Sequence, residues 1–242
     1  MTDAAETNAP ATTDFDAHVE GLATLGEPVR RALYRFVSKA ASPVSREQAA
    51  SGVGVAFHTA KFHLDKLQED GLLDVEFRRP AGRTGPGAGR PTKLYRRSSR
   101  ELSVSLPERR YDLAGRIMAA AISASEAGST PVGESLHRAA DTVGRALGEE
   151  AQRRARPDLD RQRLEESAKH VLDDYGYEPR EVDGTITLAN CPFHALAQEY
   201  TALVCGMNLD LLGGMVGRLN CGLEACLDPA PGRCCVTIRR GT

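Results

Sequence analysis

The sequence predicts an α+β protein in three parts: a basic helical N-terminal part closed by a hairpin, a central pair of helices, and a small cysteine-rich α+β C-terminal part. Three observations carry this prediction. Apolar residues recur at three- and four-residue steps through most of the chain, the mark of amphipathic helices. Strand-like segments flank Gly/Pro-rich turns at two separate places. Charge and cysteine are both segregated along the chain.

The 242 residues are 41% hydrophobic and 26% charged, the composition of a soluble globular protein with room for two domains. No apolar run is long enough to span a bilayer, so no membrane partner is expected. Met1 to Phe15 is rich in Ala, Thr and Asp and lacks the basic and apolar regions of a secretory signal. It reads as a disordered tail, residues 1–15, on a cytoplasmic protein. From Glu27 to Arg110 the chain holds 17 Lys and Arg against 9 Asp and Glu, a surplus of +8; the remainder is −10 and the whole −2. A basic part beside an acidic part fits a polyanion-binding module joined to a different one.

In the basic part, Val19, Leu22, Leu25, Val29, Leu33 and Phe36 form one apolar stripe between Asp16 and Ser38. Pro28 interrupts it, so two short helices are expected to meet near Gly26. Ser45, followed by Glu47 and Gln48, is a capped start to a third helix ending near Ser51. Gly52-Val53-Gly54 supplies a tight turn. A fourth helix is expected from about Val55 to Asp70, with Ala60, Leu64 and Leu67 inward. Ala56, Phe57, His58, Thr59, Lys61 and Phe62 lie near its N-terminal half. Two helices around a tight turn make a helix-turn-helix, whose second helix enters the major groove by that half. Leu73 to Arg79 and Lys93 to Arg97 read as strands. Between them runs a Gly/Pro-rich tip, Pro80 to Pro91, with Arg83 and Arg90; Arg78, Arg79 and Lys93 flank it. A cationic hairpin beside a reading helix is a wing, suited to the DNA backbone or minor groove.

The segment GVGVAFHTAKFHLDKLQEDGLL (52–73), followed by GRPTKLYRRS, resembles the DNA-binding domain of ArsR-type winged-helix regulators. His63-Leu64 matches that family's His-Leu pair, and the wing closes on its Gly-Arg-Pro-x-x-x-Tyr. The resemblance covers roughly Leu22 to Ser98. It implies a double-stranded DNA operator as partner and a domain over residues 16–107. His58 reads as a groove contact and His63 as a packed helix residue. Residues 108–156 carry two further apolar stripes, Leu113, Ile117, Ala121, Ile122 and then Leu136, Ala139, Val143, Leu147. Regulators of this type place dimerisation helices here, so a homodimer is expected, with Arg153 to Arg163 as a charged linker.

All six cysteines, Cys191, Cys205, Cys221, Cys226, Cys234 and Cys235, fall in the last 52 residues of the chain. In a reducing compartment such clustering points to metal, cluster or redox chemistry rather than disulfides. The third domain, residues 157–242, is expected to hold a helix over Leu164–Tyr175 and a hairpin turning at Gly184. A helix opening at Pro192 should end near Cys205, a second should run from Asn208 to Leu219, and Cys234–Ile238 should form a closing strand. Cys191 and Cys205 are 14 residues apart, Cys205 and Cys234 29, too far for the tight pairs of a zinc ribbon. Thiolates from such distant positions suit an iron–sulfur cluster. In a strand Cys234 and Cys235 would face opposite sides, so one of them would normally reach the metal.

The segments NCPFHALAQEYTALVCGMN and LDPAPGRCCVTI resemble the C-terminal domain of SufR-like repressors, ArsR-related regulators of iron–sulfur assembly operons. The resemblance implies a 4Fe–4S cluster on Cys191, Cys205 and either Cys234 or Cys235, with operator affinity set by the cluster. Cys221, Cys226 and His194 are further candidate ligands. Zinc, another thiophilic metal, or a thiol switch without metal remain alternatives. No Cys-x-x-Cys pair, phosphate-binding glycine loop, Ser-His-Asp set or His-Glu-x-x-His appears, so an enzyme is not expected.

Overall fold

The computed structural model describes residues 15–78, 91–128, 130–157 and 159–241. The chain divides into two compact units that meet in sequence between Val104 and Ser105.

The N-terminal unit contains α1 (Phe15–Thr24), α2 (Pro28–Lys39), β1 (Val44–Ser45), α3 (Arg46–Val53), α4 (Phe57–Glu69), β2 (Leu73–Arg78) and β3 (Thr92–Arg97). The break expected near Gly26 is present, and its cause is local. Pro28 opens α2, and the Glu27 carboxylate caps it by accepting from the Val29 and Arg30 amides at 3.0 and 2.5 Å. Helix α3 begins with a capping box: Ser45 Oγ accepts from Gln48 N at 3.2 Å, and Gln48 Oε1 from Ser45 N at 2.8 Å. It ends at Gly54, whose φ of 74° closes the turn into α4. The strands form an antiparallel sheet of order β1-β3-β2, with Tyr95 of β3 opposite both Val44 and Val75. Two-residue β1 is too short to show a period in the sequence. Leu33, Val37, Ala60, Leu64, Leu67, Leu73 and Tyr95 make the core. Each large apolar side chain there contributes about 1.5–3 kcal/mol.

The C-terminal unit contains α5 (Tyr111–Ala127), α6 (Val132–Ala155), α7 (Arg161–Asp174), β4 (Pro179–Val182), β5 (Thr185–Leu188), α8 (His194–Glu199), α9 (Thr201–Leu219), β6 (Leu223–Leu227) and β7 (Val236–Arg240). Its antiparallel sheet runs β4-β5-β7-β6. The β4–β5 turn is Asp183-Gly184, both at positive φ (49° and 74°), the backbone that a two-residue hairpin requires.

Three expectations are corrected here. Residues 108–156 are not a part separate from 157–242: Leu113, Ile117, Leu136 and Leu147 share one core with Leu172, Leu211, Met215 and Ile238. Of those stripes, read as dimerisation surfaces, Leu113, Ile117, Ala121, Leu136 and Leu147 are buried within the chain, Ala139 and Val143 are partly buried, and Ile122 is exposed. The linker shrinks to 156–160, because α6 runs on to Ala155 and α7 starts at Arg161. The two expected helices around Cys205 are divided elsewhere, at Tyr200, so Cys205 lies early in one long helix, α9.

Helices α6 and α9 touch at backbone distance. A Cβ on Gly144 would stand 1.9 Å from the Leu211 carbonyl oxygen, and one on Gly214 2.4 Å from that of Asp141. Alone among the described helices, α9 is long and apolar enough to cross a membrane by length and composition. Its Val204, Leu211, Leu212 and Met215 lie in the core instead. Gly144→Ala is expected to destabilise the protein by about 1–3 kcal/mol, because the added methyl meets backbone that cannot rotate away. Gly213→Ala, with open space at its Cβ, should instead stabilise by up to about 1 kcal/mol through helix propensity. Urea unfolding of the two variants reads the contrast.

Candidate functional site

Helix α4 buries Ala60, Leu64 and Leu67 against the N-terminal core. Its first two turns therefore turn the other way. Phe57, His58, Lys61 and Phe62 are exposed, Phe62 at 64% and Phe57 at 47%; Ala56 is exposed as N-cap and Thr59 half-buried. Ala56 offers no side-chain cap, leaving the first-turn amides open to an acceptor from outside. All six residues expected at this end stand at or near the surface. His63 turns toward α2, with Nδ1 3.3 Å from Arg30 Nε and 3.5 Å from Glu27 Oε2. Its expected packing role fits that position.

One carboxylate fixes this helix to its neighbours. Asp65 accepts from Arg46 of α3 at 2.7 and 2.8 Å, and from Lys93 and the Tyr95 hydroxyl of β3 at 2.7 and 2.6 Å. Burial works to raise its pKa, but hydrogen bonds from Lys93, Tyr95 and Arg46 outweigh that and hold it at about 2. Burial, then Asp65, pushes the Tyr95 hydroxyl up. None of these partners was legible as a set, because their separations along the chain follow no period. Lys93, expected to face DNA, points its ammonium at Asp65 and Gln68 instead. Arg78 is exposed and paired with Glu76 at 2.6 Å. Arg79, Arg83 and Arg90, with the tip between the strands, lie outside the described residues.

In the C-terminal unit, Cys191 follows β5, Cys205 lies in α9, and Cys234 and Cys235 immediately precede β7. The strand alternation argued for the last two is thus corrected: neither is in the strand, Cys234 is buried and Cys235 half-buried. The thiols lie close enough to influence one another's ionisation: Cys191 with Cys234, Cys234 with Cys235, and Cys235 with Cys205. A backbone bond brings the ends together, Cys234 N donating to Leu188 O at 2.8 Å. All four thiols are free, and Cys191, Cys205 and Cys234 are buried. The neighbouring Cys234, with burial, raises Cys191. Cys234 is pushed up to about 11; Cys191 lowers it, but Cys235 and burial outweigh that. Burial also raises Cys205.

The other three candidates are elsewhere. Cys221 is buried near Glu165 and Arg161, Cys226 is on β6 opposite Thr237, and His194 is exposed at the start of α8. Among the described residues, no three His, Cys, Asp or Glu side chains are disposed around one ion.

Sequence reasoning missed the polar groups behind these thiols. Asn208, 1% exposed, donates Nδ2–H to Cys234 Sγ at 3.2 Å and accepts from the Tyr177 hydroxyl at 2.6 Å. Because Tyr177 donates to Oδ1, the amide N–H is turned toward sulfur. Arg109 hydrogen-bonds Asn190 Oδ1 and, at 3.1 Å, the Cys191 carbonyl. An asparagine inside the apolar run VCGMNLDLL was the available signal.

Residues 25–76, from the end of α1 into β2, match a family described as a helix-turn-helix domain. The chain therefore carries a helix-turn-helix domain, the DNA-binding element of transcription regulators. No curated protein matches the sequence. Human N-acetylserotonin methyltransferase, solved in complex with SAM, is similar at 16% identity with a TM-score of 0.21, over 68% of this chain and 59% of its own. The chain thus spans about three-fifths of that protein, and at that TM-score the likeness carries no argument.

A prediction follows from Asp65. Its folded pKa of about 2 lies below the ordinary 3.8, so its contribution is complete above about pH 4 and is lost as pH falls through about 2. Asp65→Asn should destabilise the protein at neutral pH by about 1–3 kcal/mol, leaving one uncharged oxygen to serve two cations and a hydroxyl and setting an NH2 donor among them. It should also lose less stability than the wild type on acidification. Unfolding in urea from neutral pH down to about pH 3 measures both.

Proposed function

We propose that this protein is a DNA-binding transcription regulator, acting as a homodimer, whose operator affinity follows a 4Fe–4S cluster held by Cys191, Cys205, Cys234 and Cys235. The observation that carries the DNA-binding half is the exposed first half of α4 within a matched helix-turn-helix domain. The cluster half is supported by four free thiols from three separate segments that lie near enough to shift one another's ionisation.

The donor set fits the group chemically, one cysteine sulfur for each iron. Asn208 would add an N–H bond to the Cys234 sulfur, and Arg109 a positive charge near Cys191. Both lower the cost of thiolate charge in a buried site. When bound, the cluster would supply a centre open to oxidation by oxygen, peroxide or nitric oxide. Ligation draws the β5 end, α9 and the segment before β7 onto one centre, so the fold of the C-terminal unit and ligand binding are linked. A coupling of about 1–3 kcal/mol between that linkage and operator affinity is enough for regulation. In this reading the holo form represses, the protein is not an enzyme, and it works in the reducing cytoplasm.

The mutual influence of Cys191 and Cys234 favours a second reading, a thiol switch in which those sulfurs lose two protons and two electrons to peroxide and form a disulfide. Iron, sulfide and zinc analysis of protein purified without oxygen separates the readings. Near-stoichiometric iron and sulfide with absorbance near 400 nm are expected. Stoichiometric zinc, or neither metal, overturns the cluster. Cys205→Ser should lose most of the iron while keeping measurable affinity for duplex. In fluorescence anisotropy, affinity should fall linearly in logarithm with salt. Lys61→Ala should weaken binding by roughly ten-fold and reduce the salt slope by about one. Salt-independent affinity in the wild type would remove the DNA-binding assignment.

A further inference from the structure

The side chains on the outward face of α4 restrict what it can read. Major-groove readers distinguish adenine with Asn or Gln, guanine with Arg or Lys, and thymine by apolar contact with its methyl group. Residues 57–69 contain no Arg and no Asn, and their one Gln, Gln68, accepts from Lys93. Lys61 and His58 are left to donate to guanine. The largest side chain presented to solvent is apolar: Phe62, on the face away from the Ala60–Leu64–Leu67 stripe.

Phe62 is exposed but braced. Its ring meets the His63 ring edge-on at 5.1 Å, with 70° between the planes. His63 is in turn held by Arg30 of α2 and by Glu27, which caps that helix. An aromatic side chain fixed in this way, on the reading helix and next to a cation, keeps its orientation without burying its face. Such a ring loses little rotamer freedom on contact, so a groove partner gains the apolar contact with little ordering to offset it.

We propose that Phe62 reads thymine C5-methyl groups, so that each half-site of the bound duplex carries thymine in the major groove under the first half of α4. This rests on the DNA-binding reading and adds a base preference to it. A·T pairs are recognised through the methyl rather than through hydrogen bonds to adenine. Phe57, exposed on the other flank of Lys61, extends the apolar contact.

The test uses the full chain. Duplexes selected by the wild type from a pool with a 30-bp random core serve as probes. Each thymine in the selected half-site is then replaced in turn by deoxyuridine, which removes one methyl and changes no hydrogen-bonding group. Loss of affinity by about four-fold at one or more positions is expected, the effect of leaving one methyl-sized contact unmade. Phe62→Ala should be indifferent to those replacements, and Phe62→Leu should recover part of the sensitivity. Salt-dependent binding with no deoxyuridine effect at any position overturns this inference and leaves DNA binding standing. An equal deoxyuridine effect in Phe62→Ala also overturns it. So does a change in oligomeric state in Phe62→Ala without a change in base preference, which would make Phe62 a contact between copies. Absence of salt-dependent binding in the wild type removes the DNA-binding reading, and the inference with it.

Discussion

The Asp65 carboxylate is the constraint on which the reading end depends. A helix that buries only Ala60, Leu64 and Leu67 is held along one stripe and remains free to roll. Asp65 removes that freedom by gathering Arg46, Lys93 and Tyr95 from the helix before the turn and from the central strand of the sheet. The arrangement is partly buried, so its hydrogen bonds are stronger than those of the surface pairs around it, such as Arg96–Asp74. It explains why Lys93, a wing cation by sequence, faces inward. Under the proposed function, a strand lysine that fixes this helix would contribute to binding by positioning Phe62 and Lys61 rather than by touching phosphate.

The thiol group depends on a different kind of constraint. No local motif brings Cys191, Cys205, Cys234 and Cys235 together; the sheet and one long helix do. The bond from Cys234 N to Leu188 O sets the segment before β7 beside the end of β5, three residues from Cys191. The near-contact of α6 and α9 at Gly144 and Gly214 fixes the helix that carries Cys205 and Asn208. Changes far from sulfur, at a glycine on α6, therefore bear on whether the four thiols stay within reach of one another.

Legibility followed locality. The N-terminal elements could be read because each has a short-range cause: Glu27 and Pro28 at the start of α2, the Ser45–Gln48 box, and Gly54 closing the turn. The surface positions of Phe57, His58, Lys61 and Phe62 followed from the 3.6-residue period alone. The cysteines could be picked out by type and clustering, and four of the six do adjoin. Where the reading failed, a tertiary choice decided the outcome. The stripes at Leu113–Ile117 and Leu136–Leu147 would look the same facing a second chain or their own. Cys234 and Cys235 read as strand residues because the β pattern of Val236–Ile238 extends back to them. Partners such as Tyr177 with Asn208, 31 residues apart, leave no trace in any periodic pattern.

A buried asparagine is the most economical argument that the thiol group is more than packing. Cysteine alone would not require it, because a free buried thiol behaves as a small apolar group. Leucine at position 208 would fill the same space on α9 without an amide to desolvate. Burying that amide costs about 1–3 kcal/mol unless both its ends are bonded. Here the Tyr177 hydroxyl satisfies the oxygen and thereby aims the N–H at Cys234. Two interior polar groups are thus arranged to place one donor on one sulfur, an arrangement that gains most when the sulfur carries charge. The free Cys234 thiol, pushed up to about 11, accepts that N–H only weakly; a thiolate there, as the proposed cluster would require, would take fuller advantage of it.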